Sequence, residues 1–193
     1  MVMDANLLRA KFDQALTYAD FLELAEAQGQ RDPWDQRYGL LELTGAQEQL
    51  VRSFTRQMHV LCLSGTWCGD CALQGAAMQR IAETNPTKIE LRYLQRSDEH
   101  ADLIVKAQIN AGFRVPVTWF MAEDFAPVAW FGDRTLSRYR SMARKALDPS
   151  QTEALASPPD DPVRTVLGEV LDEFERVHLL LRLSSRLRAK HGD

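Results

Sequence analysis

Nothing in this chain looks like a membrane-spanning segment, because no apolar run approaches the roughly 20 residues that a bilayer requires. The opening Met1-Val2-Met3-Asp4-Ala5-Asn6 lacks both the basic region and the apolar stretch of a secretory signal. Basic charge is in short supply too, with 23 Lys and Arg against 27 Asp and Glu. The resulting net charge of −4 gives no reason to expect nucleic acid or an anionic membrane as a partner. Cysteine is scarce at three residues, which excludes a disulfide framework and points to catalytic or metal-binding thiols in a cytoplasmic protein. Structural zinc needs four ligands; beyond one Cys-x-x-Cys pair there are only Cys62 and the scattered His59, His100, His178 and His191. No metal site and no cofactor are therefore expected. No internal repeat is visible. With 45% hydrophobic and 26% charged residues, the chain can bury a sizeable core in one domain with extensions.

What is present is concentrated in Thr66-Trp67-Cys68-Gly69-Asp70-Cys71. This segment follows an apolar run, Met58 to Ser64, and opens a helix-like stretch that continues to Asn85. Two thiols separated by two residues can close a small ring without moving the backbone. A helix start supplies unpaired N–H groups and a partial positive charge, which stabilise a thiolate at the first cysteine. Two unrelated buried cysteines are the bland reading, and it fits Cys62 better than a pair set in a Trp-Cys-Gly turn.

Along the chain, Leu8, Phe12, Ala15, Ala19 and Leu22 recur at helical spacing and predict an amphipathic helix from about Asp4 to Gln28. A break containing Asp32-Pro33 follows, and Thr44 with Gln47 forms a capping-box pattern for a helix to about Gln57. Met58 to Leu63 reads as a strand buried on both faces. Leu73, Ala77 and Ile81 face inward on the dithiol helix, which Asn85-Pro86 ends. Ile89 to Leu94 alternates as a second strand, and Ser97 is a plausible cap for a helix over Asp98 to Ile109. Val117–Met121 and Val128–Phe131 suit a hairpin, and Arg134 to Leu147 reads as helical. Asp148 to Asp160, rich in Pro, Ser and Asp, reads as a linker. Asp161-Pro162 then starts a last helix to about Lys190. The expected division is an N-terminal helical extension (1–43), a central domain (44–147), a linker (148–162) and a C-terminal helix (163–193). This order implies an α/β fold: a parallel strand pair joined through the dithiol helix, with antiparallel strands to one side. The dithiol then lies at the carboxyl end of a strand, where open α/β sheets place their sites.

Trp67-Cys68-Gly69-Asp70-Cys71 followed by Arg114-Val115-Pro116-Val117 resembles the thioredoxin family, over about Thr44 to Leu147. The resemblance implies a thioredoxin-like fold, with a central mixed sheet flanked by helices. It also implies a cis bond before Pro116, packed against the dithiol. The terminal helices lie outside the common core and suggest a bacterial-type variant. By resemblance, Cys68 is the attacking thiolate and Cys71 the resolving thiol of a protein disulfide reductase. Trp67, Gly69, Asp70, Val115 and Pro116 would form the substrate surface. Disulfide-bearing proteins would be the partners, and a flavin- and NADPH-dependent thioredoxin reductase the electron donor. Two departures stand out. Asp70 replaces the proline frequent between the glycine and the second cysteine, and Cys62 stands where many relatives keep a buried carboxylate.

Several roles stay open at this stage. Asp70 either opposes the Cys68 thiolate or is a solvated residue of the first helical turn. Arg114 offsets Asp70, or favours acidic partners, or is an ordinary solvated arginine. Cys62 is a small buried hydrophobe or a regulatory third thiol. Arg134, Arg138 and Arg140 with Tyr139 read as a solvated helix face rather than a binding patch. Val163, Leu167, Val170, Phe174, Val177 and Leu181 form a stripe that packs on the protein's own core or seams a homodimer. The competing function is a redox-responsive protein-binding module with the dithiol as its switch. A peroxidase is disfavoured, because Cys68 sits in a two-cysteine ring and not in an isolated pocket.

Overall fold

The computed structural model describes residues 3–148 and 159–193. Four strands form one sheet in the order β2-β1-β3-β4: β1 (Met58–Ser64), β2 (Ile89–Gln95), β3 (Val117–Ala122) and β4 (Pro127–Gly132). All seven residues of β1 are buried, as a near-continuous apolar run requires when both faces are covered. β1 runs parallel to β2, with Met58 opposite Ile89 and Ser64 opposite Gln95, and antiparallel to β3, with Leu63 opposite Val117. β3 and β4 make the expected hairpin. The sheet is mixed and flanked by helices, as the thioredoxin-like pattern anticipates.

Four helices precede the sheet: α1 (Ala5–Gln14), α2 (Tyr18–Ala27), α3 (Asp32–Leu40) and α4 (Gly45–Arg52). The single helix expected over 4–28 is thus two. Leu16 is pulled into extended backbone, exchanging N–H and C=O hydrogen bonds of 2.8 Å with Tyr93 on the free edge of β2. Thr17 then caps α2 in a box with Asp20, so α2 buries Tyr18, Phe21, Leu22 and Ala25 while Ala19 faces solvent. Apolar spacing runs unbroken through this joint, which is why periodicity hides it. The break at Asp32-Pro33 is itself a helix start: proline occupies the first turn of α3, where a missing N–H costs nothing. α3 exists to bury Trp34, which touches Phe21 edge-on with ring centroids 5.1 Å apart.

The dithiol helix, α5 (Gly69–Thr84), links β1 to β2. After β2, a 3-10 turn at Asp98–His100 leads into a short α6 (Ala101–Lys106), which ends sooner than expected; beyond it Asn110 and Ala111 adopt left-handed conformations. The Ser97 side chain makes no capping hydrogen bond. α7 (Leu136–Ala146) follows β4, and the proposed linker falls mostly outside the described residues. The C-terminal helix starts at the Asp161 cap but is broken at Ser184 into α8 (Pro162–Leu183) and α9 (Ser185–His191). Among the described residues, no helix is long and apolar enough to cross a membrane.

The C-terminal stripe packs on the chain's own core. Leu167, Val170, Phe174, Val177 and Leu181 are all buried, and Phe174 meets Phe120 of β3 edge-on at 5.1 Å. A dimer seam built from these residues would have no exposed surface to offer. α9 in turn is tied to the turn after β3: Lys190 and His191 pair with Glu123, and Arg186 pairs with Asp124.

Candidate active site

The loop from Gly65 to Cys68 carries the chain from β1 into α5, and helices before residue 44 hold it in place. Trp34 Nε1 donates to the Thr66 carbonyl at 2.9 Å, in a fully buried contact. The Thr66 hydroxyl donates to Gln28 Oε1 at 2.6 Å and accepts from Gln95 Nε2 at 3.2 Å, while Gln95 Oε1 accepts from the Thr66 N–H. With its backbone fixed this way, the loop turns the Trp67 ring outward, 53% exposed. Gly65 leaves room for that ring; a side chain there would meet it at 2.8 Å.

Cys68 is the N-cap of α5, in extended backbone (φ −94°, ψ 115°). Its Sγ accepts the Cys71 N–H at 3.2 Å and lies 3.7 Å from the Val115 carbonyl. The Cys71 thiol and N–H donate to this sulfur and hold its pKa at about 7, against burial and the neighbouring Asp70 carboxylate, which push it up. Cys71 is fully buried, and burial together with the adjacent sulfur raises its pKa well above the usual thiol range. The pair is therefore asymmetric, with a half-exposed thiolate beside a covered neutral thiol. Cys62 is buried on β1 opposite Thr118, and burial pushes its pKa up to about 12. It is a neutral thiol in the core, where a third reactive sulfur would have no exposure to solvent.

The Val115–Pro116 peptide is cis and delivers the Val115 carbonyl to Cys68, while the Val115 side chain is nearly covered. A side chain at position 132 on β4 would meet the Pro116 carbonyl oxygen at 2.6 Å and Val117 Cα at 3.2 Å, so Gly132 is required for this approach. Gly69 lines the site, and a Cβ there would meet nothing within 4 Å. Its glycine identity has no steric cause.

Charge is where the sequence misleads. Asp70 is not a solvated cap: its side chain is 10% exposed, and it accepts from Arg134 Nε at 2.6 Å and Arg138 Nε at 2.8 Å. Those two arginines, read as a solvated face, reach from the start of α7 across to the start of α5. Arg114 does not offset Asp70; it pairs at 3.3 Å with Asp133, a fully buried carboxylate that also binds Arg134 at 2.6 Å and the Tyr139 hydroxyl. The α7 start is anchored by α8, because Glu169 accepts from the Ser137 N–H at 2.9 Å and its hydroxyl at 2.6 Å. These partners lie 19 to 68 residues apart or meet through a buried turn, so no local pattern announces them. Asp70, Asp133, Arg114, Arg134 and Arg138 line an open cavity of about 520 Å³ beside Cys68.

Alkylation of Cys68 is expected to rise with pH through a midpoint near 7 and level off above it, since only the thiolate reacts. Asp70→Asn should move that midpoint down. Replacing Arg134 and Arg138 together by glutamine should move it up by less than about one unit, the scale of a charge pair in solvent-like surroundings. A midpoint near the free-thiol value of about 8.5 would show that the helix start contributes nothing.

A sheet with this strand order, carrying a dithiol at the carboxyl end of its central parallel strand, defines a protein of thioredoxin fold. A family model described as Thioredoxin matches residues 15–145, and the chain belongs to the thioredoxin family. The match begins within the segment 1–43 and so takes in the helices that brace the loop. A protein of unknown function from Pseudomonas aeruginosa is similar in structure, with 20% identity and a TM-score of 0.61, covering 89% of this chain and 94% of its own. An HIV epitope-scaffold is similar at 19% identity and a TM-score of 0.60, covering 90% of this chain and 96% of its own. Both likenesses cover more of the chain than the family match does. No curated protein matches the sequence. Family and fold together point to a redox-related function.

Proposed function

We propose that the protein is a thiol–disulfide oxidoreductase that reduces protein disulfides through a reversible Cys68–Cys71 dithiol/disulfide cycle. The observation that carries this reading is the asymmetry of the pair: Cys68 Sγ at a helix start, its pKa near 7, beside a buried Cys71 that stays protonated. The Cys68 thiolate attacks one sulfur of a substrate disulfide, the substrate S–S bond breaks, and the departing thiolate takes a proton from solvent. Cys71 then loses its proton and attacks Cys68. The mixed disulfide breaks, a second substrate thiol leaves, and two electrons have passed to the substrate. Proton removal from Cys71 falls to water in the open cavity, because Cys62 is a neutral thiol and Asp70 is tied to two guanidinium groups.

Trp67, Gly69, Asp70, Val115 and Pro116 are the proposed substrate surface, with the Val115 backbone beside the reacting sulfur. A thioredoxin-reductase-type enzyme is the proposed source of electrons, in the reducing cytoplasm that the scarcity of cysteine suggests. The reading is tested with insulin as substrate and dithiothreitol as reductant. Many turnovers per protein molecule, at a rate well above that of dithiothreitol alone, are expected. Absence of turnover, combined with partner binding that differs between oxidised and reduced forms, would favour the redox-responsive binding module instead.

A further inference from the structure

The chain as a whole is acidic, with a net charge of −4, yet its dithiol cavity is lined by five arginines, Arg37, Arg96, Arg114, Arg134 and Arg138. Only two carboxylates, Asp70 and Asp133, share that lining. Both are already satisfied by Arg114, Arg134 and Arg138. The guanidinium groups of Arg37 and Arg96 pair with no carboxylate among the described residues, Arg37 exposed on α3 and Arg96 partly buried just after β2. Three positive charges are thus left over around the reacting sulfur. They stand in a cleft, where low-dielectric walls strengthen their field.

A second concavity, of about 440 Å³, adjoins the first and shares Trp67, Arg96 and Phe113 with it. Its lining adds Ile104 and Val105 from α6, with one exposed carboxylate, Asp98, in the turn before that helix. Trp67, Val105 and Phe113 are each about half exposed, an apolar strip beside the arginines. The combined surface joins a cationic wall to an apolar one.

On the thiol–disulfide reading above, the geometry points to a disulfide carried on an acidic polypeptide segment as the substrate, with carboxylate side chains flanking the cysteine and meeting Arg37 and Arg96. In the reaction the Cys68 thiolate bonds to that cysteine's sulfur, its partner sulfur leaves as a thiol, and Cys71 releases the segment with both electrons transferred. The two unpaired guanidinium groups select the segment, and the exposed aromatic rings hold an apolar residue next to it.

The test uses the full chain and three peptides with the same disulfide, flanked by glutamate, serine or lysine, with dithiothreitol as reductant. The glutamate peptide is expected to show a kcat/KM about tenfold above the serine peptide at low ionic strength, with the lysine peptide lowest. That preference should collapse near 1 M salt, where the Debye length is about 3 Å. In the double variant Arg37→Glu/Arg96→Glu, the ratio of glutamate to serine peptide should fall to one or below. Equal rates for the three peptides, or a ratio that neither salt nor the double variant alters, overturns the assignment. Oxidised glutathione, a small disulfide bearing carboxylates, serves as a fourth substrate; reduction faster than that of the glutamate peptide overturns the polypeptide as occupant. The serine peptide reports on the oxidoreductase reading alone, so its efficient reduction without charge preference removes only this inference, whereas reduction of none of the peptides removes both.

Discussion

Cys68→Ser is expected to bring disulfide reduction down to the uncatalysed background, a loss on the order of 10³ or more. A serine hydroxyl stays protonated at neutral pH even at a helix start, so the Cys71 N–H that now stabilises a thiolate at 3.2 Å would have no anion to hold. Cys71→Ser has a different signature. Its Cys68 thiolate can still open a substrate disulfide, but no second thiol lies beside it to release the product. Intact-mass measurement should find one substrate chain attached per protein molecule, removable by dithiothreitol. Turnover that survives in the Cys68 variant, or repeated turnover in the Cys71 variant, would reverse the assignment of roles.

The second large effect is expected far from the sulfur atoms. Trp34→Ala should destabilise the fold by about 3–5 kcal/mol, the range for removing a large buried aromatic side chain. For a chain of this size that lowers Tm by roughly 6–20 °C. The ring is fully buried against Phe21 of α2, and it lies where a Cβ on Gly75 of α5 would come within 2.6 Å, so α2 and α5 close on it from both sides. Its Nε1 also satisfies the Thr66 carbonyl, the backbone group that sets the dithiol loop. Trp34→Phe separates the two contributions: it keeps most of the packing and orphans the carbonyl, at a cost of about 1–3 kcal/mol. In both variants the Cys68 titration should shift along with stability. A Trp34→Ala protein within about 1 kcal/mol of the parent by urea unfolding would contradict this account, because cavity formation alone costs more.

Both expectations concern residues whose visibility in the sequence differs sharply. Cys68 and Cys71 announce themselves by spacing and by position after an apolar run, because a strand-to-helix junction is a local event. The same holds for Thr44 with Gln47 and for Asp161, whose capping hydrogen bonds form within three residues. Trp34 could have been found, since Asp32-Pro33 is a recognisable helix start, but reading it only as a break concealed the helix that carries the ring. The joint at Leu16 was beyond periodicity altogether. What opens it is the unpaired edge of β2, some 77 positions further along.

The arginines show the same divide at the site. A run such as Arg134 to Tyr139 has no partner within its own helix that would mark it, so solvation is the natural local reading. The fold brings the start of α7 beside the start of α5 and buries Asp133 between them. A carboxylate in such a place requires charged partners, and Arg114 and Arg134 supply them.

By itself, then, the amino-acid sequence determined the strand and helix alternation of the sheet and the place of the dithiol at a helix start. Periodicity, capping and cysteine spacing act over a few residues, and those distances are written along the chain. Only the tertiary structure decided which charges surround Cys68, which helices brace its loop and where the C-terminal stripe is buried. Those outcomes depend on side chains separated by tens of residues that meet only after the sheet has formed.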